Sequence, residues 1–267
     1  MAITIEVTPP REDIETRMFE TSRWEHVKLR PDDIVIATWA KSGTTLTQQM
    51  VGQLLTGGED GVAATTVSPW VDVRFLMPLP VMAEMLEAQT GRRFLKTHLP
   101  FEAVPFCPQM KYVYIGRDAR DVLWSAHDHA SSFTEAAWNA VNGSDGPWPK
   151  WSPVDPDVRA YYLHWLETDE TPGFHDLSFW DNVRSWWDQR HRPNLLLLHY
   201  TRLIADMEGE MRRLAAFLDV EVDEARLPTM LDHCSMNYMR EGMRGSQLEV
   251  NFAEGADSFI NKGVNGR

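Results

Sequence analysis

Short apolar runs alternate along this chain with segments whose apolar residues recur at helical spacing. The runs DIVIATW, RRFLKTH, KYVYIG and NLLLLHY are typical of buried strands. The segments TTLTQQMVGQLL, RDARDVLWSAHDHA and DMEGEMRRLAAFLDV follow three of these runs and are predicted helices. Buried strands that alternate with helices predict an α/β fold, with a central parallel sheet flanked by helices on both faces.

The region at about residues 131–172 departs from this alternation. Four tryptophans lie in it among glycines, prolines and acidic residues: Trp138, Trp148, Trp151 and Trp165. A chain of 267 residues is long enough for one large α/β domain. We therefore interpret residues 1–267 as a single domain that carries this region as a long, tryptophan-rich insertion. Loops of that length are usually lids or mobile segments, and the aromatics either wall a binding pocket or only anchor the loop.

The composition limits the class of partner. A formal net charge of −13 argues against general nucleic-acid binding, because a phosphate backbone requires a basic surface. An anionic small ligand needs only a local positive pocket.

The start, MAITIEVTPPRED, lacks the pattern of a secretory signal, and no apolar run reaches membrane-spanning length, so no stable membrane association is expected. Cys107 and Cys234 form neither a disulfide framework nor a metal pair, which fits a reducing cytoplasm.

The segment IVIATWAKSGTTLTQQM, residues 34–50, places small and polar residues where a buried strand meets a helix. A helix N-terminus presents unpaired backbone N–H groups and the positive end of the helix dipole. Glycine allows an anion to approach closely, while hydroxyl groups and a lysine add donors and charge. The turn is thus either a phosphate cradle, which we favour, or a plain helix cap. Its residues are Lys41, Ser42, Gly43, Thr44 and Thr45.

The order of residues in this turn separates two kinds of phosphate loop. The nucleotide-triphosphatase loop, GxxxxGK[ST], has its lysine after the last glycine, whereas Lys41 precedes Gly43. TWAKSGTT instead resembles the 5′-phosphosulfate loop of the cytosolic-type sulfotransferases, TYPKSGTTW. Three further segments resemble the same family in the expected order: FLKTHLP (94–100), YIGRDARDVLWS (114–125) and FINKGVNG (259–266). The resemblance covers nearly the whole chain from about Asp33.

The resemblance implies a sulfotransferase that moves a sulfuryl group from 3′-phosphoadenosine-5′-phosphosulfate (PAPS) to a hydroxyl group or an amine. His98 in KTHLP would be the general base, a role that suits a side chain with a reference pKa of about 6.5. Lys41 and Lys96 would stabilise the charge on the departing 5′-phosphate, provided that Lys96 faces the cleft. No metal is expected. Arg92 and Arg93, before the same strand, are interpreted as solvated charge.

The resemblance also implies the contacts to the donor. Arg117 and Ser125 would hold the 3′-phosphate, whose oxygens match the forked donors of a guanidinium group. The other implied positions are Leu46, Trp180, Cys234, Met236, Met239, Phe259, Asn261, Lys262 and Gly263. Three of these depart from the family pattern: Leu46 replaces a tryptophan, Met236 an aromatic residue and Asn261 an arginine. Each departure removes a stacking or cationic contact to the nucleotide.

The acceptor pocket is expected beside His98, lined from SPWVDVRFLMPLP, Phe101 and the tryptophan-rich region. These apolar residues indicate a small, hydrophobic hydroxyl compound as the acceptor. Two other functions stay open: a P-loop-like kinase or other ATP-using transferase, and a non-catalytic nucleotide-binding protein of the same fold. His127 and His129 are not expected to hold a metal, since residues two apart on a helix do not face each other. Whether the protein forms a homodimer is left open.

Overall fold

The computed structural model describes residues 5–61, 64–143, 146–246, 249–260, 263, 265 and 266. Among these residues, four strands form one sheet: β1 Ile34–Ala37, β2 Phe94–Thr97, β3 Lys111–Gly116 and β4 Leu195–His199. The strands are all parallel, and their order in the sheet is β2–β1–β3–β4. Each strand lies inside one of the predicted runs, so the predicted parallel sheet is confirmed.

Helices connect and cover the strands. The α-helices of the described ranges are α1 Thr44–Thr56, α2 Ala64–Val67, α3 Leu79–Ala88, α4 Ala119–Ser131, α5 Glu135–Asn142, α6 Val158–Thr168, α7 Phe179–Asp188, α8 Tyr200–Ala205, α9 Met207–Leu218, α10 Leu227–His233, α11 Met236–Met243 and α12 Ala256–Phe259. Short 3₁₀ turns lie at Thr21–His26, Phe101–Ala103 and Glu249–Asn251. The three predicted helices correspond to α1, α4 and α9. None of the helices described here has the length and apolar character needed to cross a bilayer.

Strand β1 is buried on both of its faces. Ile34 and Ile36 belong to a hydrophobic cluster with α1, α9 and α10, whereas Val35 and Ala37 belong to a second cluster with α3 and α7. Successive side chains of a strand point to opposite faces, so a strand covered on both sides must be apolar at every position. This is why the run IVIA contains no polar residue.

The tryptophan-rich region, interpreted from the sequence as a long insertion, contains regular structure. Helices α5 and α6 lie within it, and Thr134 and Asp157 cap them by accepting hydrogen bonds from first-turn N–H groups. Trp165 is buried against Phe179 and stacks on Trp180, with 5.5 Å between the ring centroids. Helix α6 therefore anchors the region to α4 and α7 through a third hydrophobic cluster.

A buried ion pair joins the amino-terminal ends of β1 and β2. Asp33 and Arg93 have fully buried side chains, and the guanidinium donates to the two carboxylate oxygens at 2.8 and 2.6 Å. The same guanidinium donates to the backbone carbonyls of Leu86 and Lys28. Treating Arg93 as solvated charge was therefore wrong. A guanidinium can be buried when a carboxylate and carbonyl groups take up its donors.

We expect Asp33→Asn to lower the free energy of unfolding by about 3–5 kcal/mol, because Arg93 then stays buried without its counter-charge. Urea denaturation followed by tryptophan fluorescence measures this change. Asp32→Asn, at the neighbouring exposed position, is the matched control and should change the stability by less than about 0.5 kcal/mol. Equal stability of the two variants would contradict the role given to the pair.

Candidate active site

The predicted catalytic residues, the phosphate loop and Arg117 lie at the carboxyl ends of β1, β2 and β3, which meet at one edge of the sheet. From β1 the chain passes to β2 on one side, and β3 then lies on the other side of β1. Ligands of open α/β sheets bind in the crevice outside such a switch point. Lys41 and Arg117 follow the two strands that flank this crevice, and Arg117 donates to the backbone carbonyl of Lys41 at 3.2 Å.

The loop between β1 and α1 turns sharply. Lys41 and Gly43 have φ angles of 63° and 117°, both in the left-handed region. Gly43 is the N-cap residue of α1 and has no side chain to cap the helix, which leaves the first-turn N–H groups for an anion. A Cβ atom on Gly43 would lie 2.6 Å from a ring carbon of Tyr200. Both the φ angle and this neighbour therefore require glycine in the predicted phosphate cradle.

Thr38 connects this loop to His98. Its hydroxyl oxygen lies 2.8 Å from Thr44 Oγ1 and 3.0 Å from His98 Nδ1, and its carbonyl oxygen lies 2.8 Å from the same nitrogen. Because a carbonyl oxygen can only accept, Nδ1 of the neutral imidazole carries the proton and Nε2 has the free lone pair. The backbone carbonyl of His98 is held in turn by the Asn182 amide at 2.9 Å.

Burial sets the protonation of the groups around His98. It lowers the pKa of His98 well below the usual value, and the positive charge of Lys96 and the neighbouring His175 lower it further. Burial also lowers the pKa of Lys96 to about 8, while the carboxylate of Asp72 opposes this change. At neutral pH the imidazole is therefore neutral, and most of the Lys96 side chains remain charged.

Trp70 and Asp72 support Lys96 and His98. The Lys96 ammonium lies 3.8 Å over the Trp70 ring, and the same ring meets His98 edge-on at a centroid distance of 4.5 Å. Lys96 thus lies on the His98 side of its strand. Asp72 is buried, and its Oδ2 accepts from Trp70 Nε1 at 3.0 Å and from the His98 backbone N–H at 3.4 Å. Phe101, also expected at the acceptor pocket, is instead buried against aromatic rings of the core.

The ammonium group of Lys41 contacts a histidine on α4. It donates to His129 Nδ1 at 3.0 Å and lies 5.6 Å over the ring of Phe259. Burial, and then Lys41 and Lys96, lower the pKa of His129 well below its usual value, so the ring is a neutral acceptor. The rings around it are Phe133, Phe174, Phe252 and Phe259. His127 lies elsewhere, with Nε2 2.7 Å from the carbonyl of Asp155.

Arg117 and the C-terminal segment meet beside a cleft of about 370 Å³. Besides its bond to Lys41, Arg117 donates to the side chain of Asn265 at 3.1 Å and lies 4.3 Å over the Tyr200 ring. The next backbone N–H, that of Gly266, donates to Asp121 on α4 at 2.8 Å. Trp180 lines the same cleft as Arg117 and is about half exposed. Arg117, predicted to hold the 3′-phosphate, and Trp180, predicted to lie near the adenine, therefore line the same cavity.

The other predicted donor residues differ in their surroundings. Ser125 is buried on α4, and Met236 packs against Gly263, where an added Cβ would lie 3.0 Å from the methionine sulfur. Three are buried in the hydrophobic cluster on the α1 side of the sheet: Leu46, Cys234 and Met239. Two lie outside the described residues: Asn261 and Lys262. For these residues the donor contacts stay predictions.

The sequence reasoning missed four residues of this site. Thr38 and Asp72 hold His98, His129 holds Lys41, and His175 lies 6.2 Å from His98 between ring centroids. An acidic residue inside the apolar segment SPWVDV was a signal for Asp72, because an unpaired carboxylate is costly to bury there. His175 gave no such signal, since its neighbours come from distant parts of the chain.

Comparison with known proteins identifies the family to which the chain belongs. A family model described as the sulfotransferase domain matches residues 31–267. A glycolipid sulfotransferase of Mycobacterium bovis is 28% identical over 273 residues, covering 93% of this chain and 83% of that protein. Sulfotransferase 1B1 of Mus musculus is 28% identical over 254 residues, covering 91% and 78%. The solved structure of retinol dehydratase with androsterone and inactive cofactor PAP has a TM-score of 0.66 at 21% identity, covering 93% of this chain and 80% of that one.

The family match includes the phosphate loop, the strand before His98, the segment around Arg117 and the C-terminal stretch. The likeness to the solved structure confirms the predicted sulfotransferase fold. The family match favours the sulfotransferase interpretation of the loop over the P-loop-like kinase alternative. The chain belongs to the sulfotransferase domain family, which confirms the resemblance seen in its motifs and the reaction class, transfer of a sulfuryl group from PAPS.

Proposed function

We propose that this enzyme transfers the sulfuryl group to a hydroxyl group of an apolar small molecule, with His98 as the general base. The observation that carries the proposal is the hydrogen-bonded connection from Thr44 through Thr38 to His98. This connection fixes the imidazole relative to the phosphate loop. Because the Thr38 carbonyl accepts from Nδ1, the nitrogen that takes the proton of the acceptor hydroxyl is Nε2.

The residues around the loop fit a nucleotide with two phosphate groups. Lys41, Lys96 and Arg117 concentrate positive charge at one edge of the sheet, in a chain whose formal net charge is −13. We assign Arg117, with Ser125, to the 3′-phosphate and the N-terminus of α1 to the 5′-phosphate. Bound PAPS supplies the activated sulfuryl group. Lys41 and Lys96 would stabilise the negative charge that its departing phosphate gains.

The surroundings of His98 favour an apolar hydroxyl compound over an amine. Trp70 and other aromatic rings line this part of the molecule, and Lys96 and Lys41 both act on the pKa of His98. Two nearby ammonium groups disfavour the entry of a third, which is the form of most amines at neutral pH. The Mycobacterium bovis relative is named for a glycolipid, and the solved structure contains androsterone. Both names support an apolar acceptor.

We expect His98→Ala to lower kcat at least about 100-fold, because the hydroxyl then loses its base. Binding of 3′,5′-bisphosphoadenosine (PAP) should be largely kept, since His98 is not assigned to the nucleotide. Transfer of labelled sulfate from PAPS to 2-naphthol, a 3-hydroxysteroid and a long-chain alcohol measures the first quantity. The thermal shift with PAP measures the second.

His191→Ala, at an exposed position, is the matched control and should leave both quantities unchanged. Equal turnover of His98→Ala and wild type would remove His98 from its role. A larger thermal shift with Mg·ATP than with PAP would support the kinase alternative instead. Tight binding of PAP without turnover of any acceptor would support the non-catalytic alternative.

We expect Arg117→Ala to raise the Kd for PAP by about 10- to 100-fold, the cost of losing charge-assisted hydrogen bonds to one phosphate. The Kd for adenosine 5′-phosphate, which lacks the 3′-phosphate, should change much less. Isothermal titration with the two nucleotides measures the difference. Arg184→Ala removes an exposed arginine of α7 and serves as the control. An equal loss of affinity for both nucleotides would contradict the assignment of Arg117 to the 3′-phosphate.

We expect kcat/KM for PAPS to fall above a pH of about 8. Burial lowers the pKa of Lys96 to about 8, so the side chain loses its proton and its positive charge as the pH rises through that value. Lys96→Arg keeps its charge at alkaline pH, because a guanidinium has a pKa above about 12. The pH profile of kcat/KM for Lys96→Arg should therefore show no fall above a pH of about 8. If Lys96→Arg shows the same alkaline fall as wild type, the fall arises from the titration of another group.

A further inference from the structure

His175 is a buried histidine, and one of its two ring nitrogens has no hydrogen-bond partner among the described residues. It ends a tight turn in which its backbone carbonyl accepts from the Thr171 hydroxyl at 3.1 Å, and its side chain is almost wholly buried. Its Nδ1 accepts a hydrogen bond from the Leu177 backbone N–H at 3.2 Å. Nε2 is buried and has no hydrogen-bond partner in the described part of the chain.

The partner of Nδ1 decides where the proton lies. A backbone N–H can only donate, so Nδ1 holds the lone pair and Nε2 carries the proton. Burial lowers the pKa of His175 to about 3, so the ring is neutral at physiological pH. An unpaired N–H in the interior destabilises the folded state. The ring lies between Trp39 and Phe19, at centroid distances of 4.4 and 4.8 Å, so the unpaired donor stands among aromatic rings.

The rings around His98 form a closed cycle that includes His175. The centroid distances are 4.5 Å from His98 to Trp70, 5.9 Å from Trp70 to Phe19, 4.8 Å from Phe19 to His175 and 6.2 Å from His175 back to His98. An oxygen hydrogen-bonded to an imidazole lies about 4 Å from the ring centroid. Since 6.2 Å is less than twice that value, one oxygen atom can be within hydrogen-bond distance of both histidines.

We propose that His175 Nε2–H donates a hydrogen bond to the oxygen of the acceptor hydroxyl while His98 Nε2 accepts the proton of that hydroxyl. The inference rests on the proposed function. As the bond from the acceptor oxygen to sulfur forms, the bond from sulfur to the 5′-phosphate oxygen breaks and PAP leaves with the electron pair. The hydroxyl proton passes to His98. His175 keeps its own proton and stabilises the negative charge that develops on the acceptor oxygen.

This arrangement makes His175 a determinant of hydroxyl over amine acceptors. A hydroxyl oxygen has two lone pairs, so one can attack sulfur while the other accepts from His175. A neutral amine has a single lone pair, which the attack on sulfur uses. The bond from His175 is therefore available only to an oxygen nucleophile. The acceptor class that follows is an apolar alcohol or phenol.

The experiment compares wild type, His175→Phe and His175→Gln on the three hydroxyl acceptors and their amine counterparts, beginning with 2-naphthol and 2-naphthylamine. We expect His175→Phe to lower kcat/KM for the hydroxyl compounds about 10- to 100-fold and to leave the amines nearly unchanged, so the hydroxyl-to-amine ratio falls. His175→Gln should restore part of the loss, because its amide nitrogen can replace the Nε2–H donor. The thermal shift with PAP should be the same in all three proteins.

Thermal unfolding separates this role from a structural one. His175→Phe should unfold within a few degrees of wild type, because it removes both an unpaired buried donor and the acceptor of the Leu177 N–H. A lower unfolding temperature with equal losses for hydroxyl and amine acceptors would overturn the proposal, as would full hydroxyl activity in His175→Phe. If wild type sulfates no hydroxyl compound of the panel, the proposed function itself fails, which is a different result.

Discussion

The hydrogen bonds of Thr38 are the constraint on which the arrangement of this site depends. Thr38 is the first residue after β1, and it bonds both to the start of α1 and to His98 after β2. Strand β1 lies between β2 and β3, so a residue at its end reaches the loops of both neighbours. A shift of this loop would move His98, the N-terminus of α1 and the Lys41 carbonyl to which Arg117 donates at the same time.

Burial keeps the histidines of the site neutral, while the lysine and arginine side chains carry its positive charge. His98, His129 and His175 all have lowered pKa values because they are buried, and nearby lysines lower them further. The histidines are therefore neutral donors or acceptors, each with a defined tautomer or partner. Positive charge comes from Lys41, Lys96 and Arg117. An acidic protein can thus offer a cationic site to an anionic donor without a basic surface.

The sheet and the main motifs could be predicted because their signals are local. The apolar run before Lys41 and the turn chemistry after it are contiguous in sequence, and they fixed both the strand and the phosphate loop. Arg93 was misjudged because its partner Asp33 lies 60 residues away, and a distant carboxylate leaves no mark on the local pattern. Helices α5 and α6 were missed because glycines, prolines and acids surround them and hide their short apolar faces.

The tryptophan-rich region explains how His175 reaches the site. Helix α6 packs on α4 and α7, and the chain that leaves it runs directly into Phe174 and His175. Phe174 contacts His129, which holds Lys41, while His175 lies beside His98. One short segment is thereby connected both to Lys41, on the proposed donor side, and to His98, on the proposed acceptor side. Changes in this segment could alter acceptor choice while every motif residue stayed the same, as is common for loops on a fixed scaffold.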